Sequence, residues 1–222
     1  EDGIGLNSTA SVYQERNGSL WVGTFGGGLS QYDGEAWRTY TVQDGLLQNN
    51  IMSLYGDTSG DMWEGTWTQG LNRFDGEKWH SYTAPEGLVS NGVRSIAEDA
   101  NGSLWFGQDT GISRFDPIAN AWDQFLYVDG VSLSVTHSIL LDRSGDLWFS
   151  TGNGLVRYSQ QNVLTLVPQD GAIKLGDASG LLIDKQDDIW FNIAEGVIRH
   201  SEEESTVFDY RHGLIDSKVS NI

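Results

Sequence analysis

The stretch NGSLWVGTFGGGLSQYDG, residues Asn17–Gly34, decides how this chain folds, because copies of it recur along the sequence. SGDMWEGTWTQGLNRFDG begins at Ser59, NGSLWFGQDTGISRFDP at Asn101 and SGDLWFSTGNGLVRYSQ at Ser144, and a more divergent copy begins at Gln186. A fixed period of this length is typical of repeat architectures. The equivalent tryptophans, spaced by 42, 42, 43 and 42 residues, are Trp21, Trp63, Trp105, Trp148 and Trp190.

Each repeat contains four short apolar segments, A to D, separated by turns rich in Gly, Asn, Asp and Ser. In the second repeat we predict strands at Asn50–Asp57, Asp61–Thr66, Gly70–Asp75 and Lys78–Thr83. Strand B carries apolar side chains on both faces in most repeats, so both of its faces are expected to be covered. The sequence therefore predicts an all-β fold, a β-propeller of four-stranded antiparallel blades.

We expect one propeller domain or fragment over residues 1–222, with five complete repeats of about 42 residues. The blades are predicted at about 7–41, 50–83, 92–127, 135–167 and 178–210, and the first strand of a sixth at 218–222. Residues 1–12 align with 212–222, so the chain is expected to be a piece of a longer propeller. A closed five-bladed ring with one displaced terminal strand is the alternative.

The formal net charge of −18 disfavours nucleic acid and anionic membrane surfaces as partners, since both bind through Lys and Arg. There is no cysteine, which excludes disulfides, thiolate metal sites and cysteine nucleophiles. No run approaches 18 apolar residues, so no direct membrane insertion is expected. The first residues do not resemble a secretory leader, and any export signal is expected outside this sequence.

An aspartate precedes the A–B turn in four repeats, at Asp57, Asp99, Asp142 and Asp184. We predict that its carboxylate accepts backbone N–H groups in the turn. Calcium binding is disfavoured because each turn offers one carboxylate, whereas a calcium loop needs several oxygen ligands. No metal and no cofactor is predicted.

The repeat S-I/L-x-x-D-x-x-G-x-L-W-x-G-T-x-x-G-L-x-R-F/Y-D, with the linker D-G-L-x-x-N, resembles the two-component regulator propeller family. Asp44-Gly45-Leu46 to Asn49, and Gly65-Thr66 to Gly70-Leu71, stand at that family's spacing. The resemblance implies a periplasmic or otherwise extracytoplasmic sensor region. In this family such propellers, commonly seven-bladed, precede an immunoglobulin-like domain, a membrane helix and a histidine kinase or other output, and many sense glycans.

The fifth repeat departs most from this pattern, with Asp187 at the turn glycine, Asn192 at the strand-B glycine and His200 at the aromatic. We interpret these departures as the mark of a terminal or subunit-contacting blade.

A search for catalytic patterns favours a binding protein. The histidines have no H-x-x-x-H or H-E-x-x-H spacing, and no G-x-S-x-G elbow or phosphate loop is present. Paired carboxylates for glycoside chemistry remain open in so acidic a chain. A polysaccharide lyase or hydrolase is therefore kept as an alternative function.

Ligand contacts are expected where the repeats disagree, on the edge of the blades formed by the B–C turns and the D–A loops. Glu64 stands where other repeats have Val or Phe, and its partner is expected to be a ligand or a nearby Arg or Lys. Trp67 offers a flat face for stacking on a sugar, or packs on the neighbouring blade. The predicted ligand-binding residues are Glu64, Trp67, Gln69, Phe25, Asp109, Asn153, Glu195 and Tyr127. For Asn49 and Asn91, which recur in the linker, turn capping is favoured.

The sequence thus predicts a non-catalytic sensor that binds an oligosaccharide or other small polar ligand. The alternative from a different class is a protein-interaction platform that self-associates through a terminal strand or a propeller face.

Overall fold

The computed structural model describes residues 3–4, 8–159, 161, 164–167, 178–201 and 204–214. Twenty-two strands lie within these ranges. They are β1 Thr9–Gln14, β2 Leu20–Thr24, β3 Leu29–Tyr32, β4 Trp37–Tyr40, β5 Ile51–Gly56, β6 Met62–Thr66, β7 Leu71–Phe74, β8 Trp79–Tyr82, β9 Val93–Glu98, β10 Leu104–Gln108, β11 Gly111–Asp116, β12 Ala121–Phe125, β13 Tyr127–Val128, β14 Val131–Ser132, β15 Thr136–Leu141, β16 Leu147–Thr151, β17 Gly154–Tyr158, β18 Leu164–Val167, β19 Ser179–Ile183, β20 Ile189–Ile193, β21 Gly196–His200 and β22 Ser205–Phe208.

Twenty of these strands form five four-stranded antiparallel sheets, in which consecutive strands are neighbours, and β13 and β14 form a two-stranded ribbon. We call the five sheets blades 1 to 5; they begin at β1, β5, β9, β15 and β19. The first strands of successive blades contact one another in the order β1, β5, β9, β15, β19, so strand A is the innermost strand. The predicted strands of the second repeat agree with β5 to β8 to within one residue at most ends. The predicted strand at 218–222 lies outside the described residues.

Strand B is buried on both faces, as predicted from its apolar pattern. Its tryptophan packs across the seam to the next blade. Trp63, for example, lies with its ring centroid 5.6 Å from Phe106 and 5.9 Å from Phe115. The core therefore consists of the seams between blades, each filled by aromatic side chains of two blades.

Strand-B glycines let the blades approach closely. A Cβ added at Gly65 would lie 2.6 Å from the backbone oxygen of Val93 on the next blade. No side chain fits there unless the two blades move apart, so glycine is required by the seam rather than by a turn.

The A–B turns confirm the role predicted for their aspartate. The Asp57 carboxylate accepts the Asp61 N–H at 2.9 Å, and equivalent bonds form at Asp99, Asp142 and Asp184. The same carboxylate accepts the indole N–H of the core tryptophan, at 2.7 Å between Asp57 and Trp63. The repeated aspartate thus satisfies the one polar atom of the buried tryptophan.

The arginine of strand C also belongs to the scaffold. The Arg73 Nε donates to Asp61, and its guanidinium lies 5.5 Å from the ring centroid of Trp63. Arg157 and Arg199 repeat this arrangement in blades 4 and 5. Each of these arginines is therefore oriented by an aspartate and a tryptophan of its own blade.

The D–A loops contain short elements that the sequence did not predict. Three are 3-10 turns at Val42–Asp44, Ala84–Glu86 and Tyr210–His212, and each carries a capping box. Between blades 3 and 4 the loop instead forms the ribbon β13–β14. Among the described residues, no helix has the length and apolar character needed to span a membrane.

Candidate functional site

The B–C turns are built so that the residue after strand B lies at the surface. The Thr24 and Thr66 hydroxyls donate to the carbonyls of Gly28 and Gly70, at 2.9 and 2.8 Å, and close the turn. The next residue in each blade is Phe25 or Trp67. Its backbone N–H is bonded to the start of its own strand A, at 3.1 Å from Trp67 to the Asn50 oxygen. The turn is therefore tied to a rigid part of the blade.

The side chains of Phe25 and Trp67 form a group with those of Arg94 and Asp109. We call these four residues the aromatic–arginine cluster. Phe25 and Trp67 meet edge to face with their ring centroids 5.3 Å apart. The Arg94 guanidinium lies 5.4 Å from the Trp67 ring centroid, and its Nε donates to the Asp109 carboxylate at 2.6 Å. The cluster spans blades 1, 2 and 3 and contains three of the predicted site residues.

Trp67 remains 42% exposed despite these contacts. Arg94 and Asp109 are also partly exposed, so their ion pair contributes at most about 1 kcal/mol to stability. Cation–π attraction of Arg94 to Trp67 contributes a similar amount, about 0.5–1 kcal/mol. The cluster is thus ordered by its contacts while an indole surface, a guanidinium and a carboxylate stay accessible.

Arg94 is the residue that sequence reasoning missed. It is the second residue of strand A of blade 3, where blade 2 has Met52 and blade 4 has His137. This disagreement between repeats is the sequence signal for Arg94, and it is the same kind of signal that selects Trp67.

The other predicted surface residues lie outside the cluster. Gln69 is exposed in the B–C turn of blade 2, and the Asn153 amide donates to the Ser132 oxygen at 2.6 Å. Glu195 is exposed on blade 5, where its charge acts on Arg211. Tyr127 is exposed on β13. The structure therefore distributes these four residues over different blades.

Glu64 is placed differently from the other predicted site residues, since none of its surface is exposed. It lies in the seam between blades 1 and 2, and its Oε2 accepts the Asn72 amide at 2.5 Å. Among the residues that the structure describes, the Asn72 amide is its partner in place of the expected Arg or Lys, and its Oε1 accepts no hydrogen bond. Burial raises the pKa of Glu64 to about 8. We therefore correct its assignment from the surface site to the core.

The linker asparagines act as caps, as favoured from the sequence. The Asn49 side-chain oxygen accepts the Val42 N–H at 2.9 Å, and Asn91 accepts the Ala84 N–H at 2.8 Å. These bonds close the D–A loops. The backbone oxygens of the same asparagines accept the N–H groups of Gly28 and Gly70, which link the loops to the B–C turns.

Gly92 gives Asp109 the room to reach Arg94. A Cβ at this position would lie 2.1 Å from the Asp109 Oδ2 and 3.0 Å from the Trp67 backbone oxygen. We predict that Gly92→Ala displaces Asp109 and lowers the free energy of unfolding by about 1–3 kcal/mol, as other overpacked sites do. Urea denaturation measures the change. In an Asp109→Ala background the same substitution should lower the free energy of unfolding clearly less, because the carboxylate that it displaces is absent. Equal losses in both backgrounds would contradict this account.

Two cavities lie elsewhere, beside the A–B turns at the opposite edge of the blades. One, of about 510 Å³, is lined by Tyr13 of blade 1, Tyr55 of blade 2 and Glu98 of blade 3 among others. The second, of about 550 Å³, lies between blades 4 and 5. Within the described ranges, no group of three or more metal-binding side chains converges.

Comparison with known proteins agrees with this architecture. The sequence model of the two-component regulator propeller matches residues 87–110 and 129–153. At these two segments the chain is similar to the two-component regulator propeller family. The resemblance stated from the sequence is thereby confirmed at these two segments. They contain the first two strands of blade 3 and of blade 4, together with part of the loop before each blade. No curated protein sequence matches the chain.

Solved structures share the fold. The extracellular domain of a putative hybrid two component system of B. thetaiotaomicron superposes with a TM-score of 0.81 at 23% identity, covering 96% of this chain and 30% of that one. The extracellular domain of a putative one component system of the same organism gives 0.74 at 16%, covering 92% and 29%. A catalytically inactive virginiamycin B lyase of Staphylococcus aureus, solved with quinupristin, gives 0.72 at 17%, covering 94% and 73%. The chain therefore spans under a third of the two extracellular domains and about three quarters of the lyase.

Proposed function

We propose that this chain is a non-catalytic sensing propeller of a signalling receptor, located outside the cytoplasm, which binds its ligand at the aromatic–arginine cluster. The observation that carries the proposal is Trp67, an ordered and partly exposed indole held between Phe25 and Arg94. Two-component regulator propeller repeats, and fold likeness to extracellular domains of putative one- and two-component systems, support the sensing role.

The chemistry of the cluster fits a glycan or another small polar ligand. An indole face stacks on the apolar face of a sugar ring, while Asp109 accepts hydrogen bonds from hydroxyl groups and Arg94 donates to ring or hydroxyl oxygens. Gln48, which is half-buried in the preceding D–A loop, donates to the exposed Thr68 hydroxyl of the B–C turn at 3.2 Å, and the two add donors and acceptors beside Trp67. Apolar stacking with a few fixed polar groups is the usual composition of a small-molecule site.

The test is binding of a panel of oligosaccharides, read as a shift of the melting temperature and then by calorimetry. Trp67→Ala and Arg94→Gln should each weaken binding of an active oligosaccharide by about tenfold or more, the loss expected for about 1.4 kcal/mol of contact energy. Ile118→Ala is the control, since Ile118 is 90% exposed in a C–D turn. Full affinity in Trp67→Ala would place the ligand elsewhere.

The likeness to virginiamycin B lyase favours a second candidate, an enzyme on the same fold. Fold alone does not transfer a reaction. Turnover of any oligosaccharide, or of quinupristin, by the purified protein, detected by mass spectrometry, would replace the sensing proposal. A stable oligomer in light scattering, without a ligand response, would instead favour the interaction platform.

We further propose that the five sheets are consecutive blades of a ring with more than five blades. In support, the innermost strands contact one another in chain order, and the chain covers only 30% of the longer extracellular domain on which it superposes. Electron microscopy of a receptor that includes the flanking sequence would count the blades. A ring of five would contradict the proposal.

A further inference from the structure

Two departures of the fifth repeat meet at one place in the structure. Asp187 replaces the A–B turn glycine and His200 replaces the aromatic residue of strand C. Both line the cavity of about 550 Å³ between blades 4 and 5, on the edge opposite the aromatic–arginine cluster. In the neighbouring seam the equivalent of His200 is Tyr158, whose ring lies 4.4 Å from that of Trp105. His200 instead meets Trp148 edge to face at 5.5 Å.

Asp187 has a backbone conformation that is unfavourable for a residue with a side chain. Its φ of 68° lies in the left-handed region, where the other four repeats have glycine. Its carboxylate reaches across the seam to Arg143, at 2.9 Å. The strained residue therefore positions an arginine of blade 4 at the edge of the cavity.

The second arginine of the cavity, Arg157, is fixed on its other sides. Its guanidinium lies 5.4 Å from the Trp148 ring centroid, and its Nε and Nη2 are bonded to Asp146. Within the described part of the chain, Nη1 has no assigned acceptor. The field of Arg157 also acts on His200, whose pKa it lowers together with burial.

The three carboxylates that line the cavity already have partners. Asp142 accepts the Trp148 indole N–H, Asp188 accepts Arg199, and Asp187 is paired with Arg143. The donors of Arg157 and Arg143 are thus the groups left for a ligand, above a floor formed by Trp148 and Ile189. This composition, two guanidinium groups beside an apolar floor, suits a planar anionic group on a small organic body.

We propose that the seam between blades 4 and 5 is a second ligand site, which binds a small organic carboxylate through Arg157 and Arg143. The carboxylate takes the remaining N–H groups of the two arginines, and the body of the ligand packs beside Trp148 and His200. The site is separate from the aromatic–arginine cluster and does not depend on the function proposed for it.

The probe is benzoate, measured by calorimetry and by tryptophan fluorescence on the full chain, with benzamide as its uncharged analogue. We expect saturable benzoate binding with a dissociation constant in the millimolar range, as usual for a ligand of this size, and none with benzamide. Trp67→Ala should leave benzoate binding unchanged, so failure of one site is distinguishable from failure of the other.

The decisive comparison is Arg157→Gln against Arg73→Gln. Arg73 makes the same contacts with aspartate and tryptophan in blade 2, and it does not line either cavity. Both variants should therefore lose similar stability, whereas only Arg157→Gln should weaken benzoate binding by tenfold or more. His200→Phe, which restores the ring of the repeat, should also weaken it by filling the cavity. No saturation up to about 100 mM benzoate, where ligands of this size bind, or an equal loss in Arg73→Gln, would overturn the proposal.

Discussion

Glu64→Gln is expected to stabilise the protein by about 4 kcal/mol near pH 8.5 and by under about 1 kcal/mol near pH 5. The folded protein holds this carboxyl in the seam between blades 1 and 2, with no exposed surface and one amide partner. Burial is the main cause that raises its pKa from 4.5 to about 8, and the Asn72 hydrogen bond opposes it. No charged group contributes to the shift.

The direction follows from proton linkage. Below about pH 4.5 both the folded and the unfolded chain hold the proton, and the stability associated with Glu64 is fully present. Between about pH 4.5 and 8 the unfolded chain loses the proton while the folded chain keeps it, so stability falls by about 1.4 kcal/mol per pH unit. Above the folded pKa the loss is complete. Glutamine has the shape of the protonated acid and has no proton to lose.

Urea denaturation of both proteins across this pH range measures the difference. Glu77→Gln is the matched control, because it removes the same charge from an exposed position in a C–D turn. Its effect should be small at every pH. Parallel stability curves for the wild-type protein and Glu64→Gln would show that the carboxyl is solvated or paired in solution, contrary to this structure.

The fold was predictable from the sequence because the same pattern of strands and turns recurs in each of the five repeats. Strand limits, the buried faces of strand B and the role of the A–B aspartate all follow from residues that recur. Asn49 and Asn91 were interpreted correctly for the same reason. Local hydrogen bonding fixes these features, and local patterns reveal them.

The candidate site was predictable only in part, because its contacts join different blades. Trp67 and Asp109 stand out as departures from the repeat, but their link through Arg94 depends on how strand A of blade 3 lies beside the turn of blade 2. Glu64 was a departure of the same kind and proved to be buried. A residue that differs from its equivalents in the other repeats therefore marks an unusual position. It does not show whether that position lies at the surface or in the seam between two blades.

Two tryptophans four residues apart are expected to differ widely in their contribution to stability. Trp63 is 1% exposed, stacks on Tyr82 with a centroid distance of 5.7 Å and contacts Phe106 across the seam. Its indole N–H is bonded to Asp57. Trp63→Ala should lower the free energy of unfolding by about 3–5 kcal/mol, through the lost burial and the cavity left behind.

Trp67→Ala is the matched comparison, and it should lower the free energy of unfolding by about 1–2.5 kcal/mol, since the partly exposed indole loses mainly one aromatic contact and one cation–π contact. Denaturant titration of both variants measures the difference. A loss of about 3 kcal/mol or more in Trp67→Ala would show that this indole is a packing residue. The ligand site proposed around it would then be wrong, because a side chain that stabilises the seam needs no ligand to explain its presence.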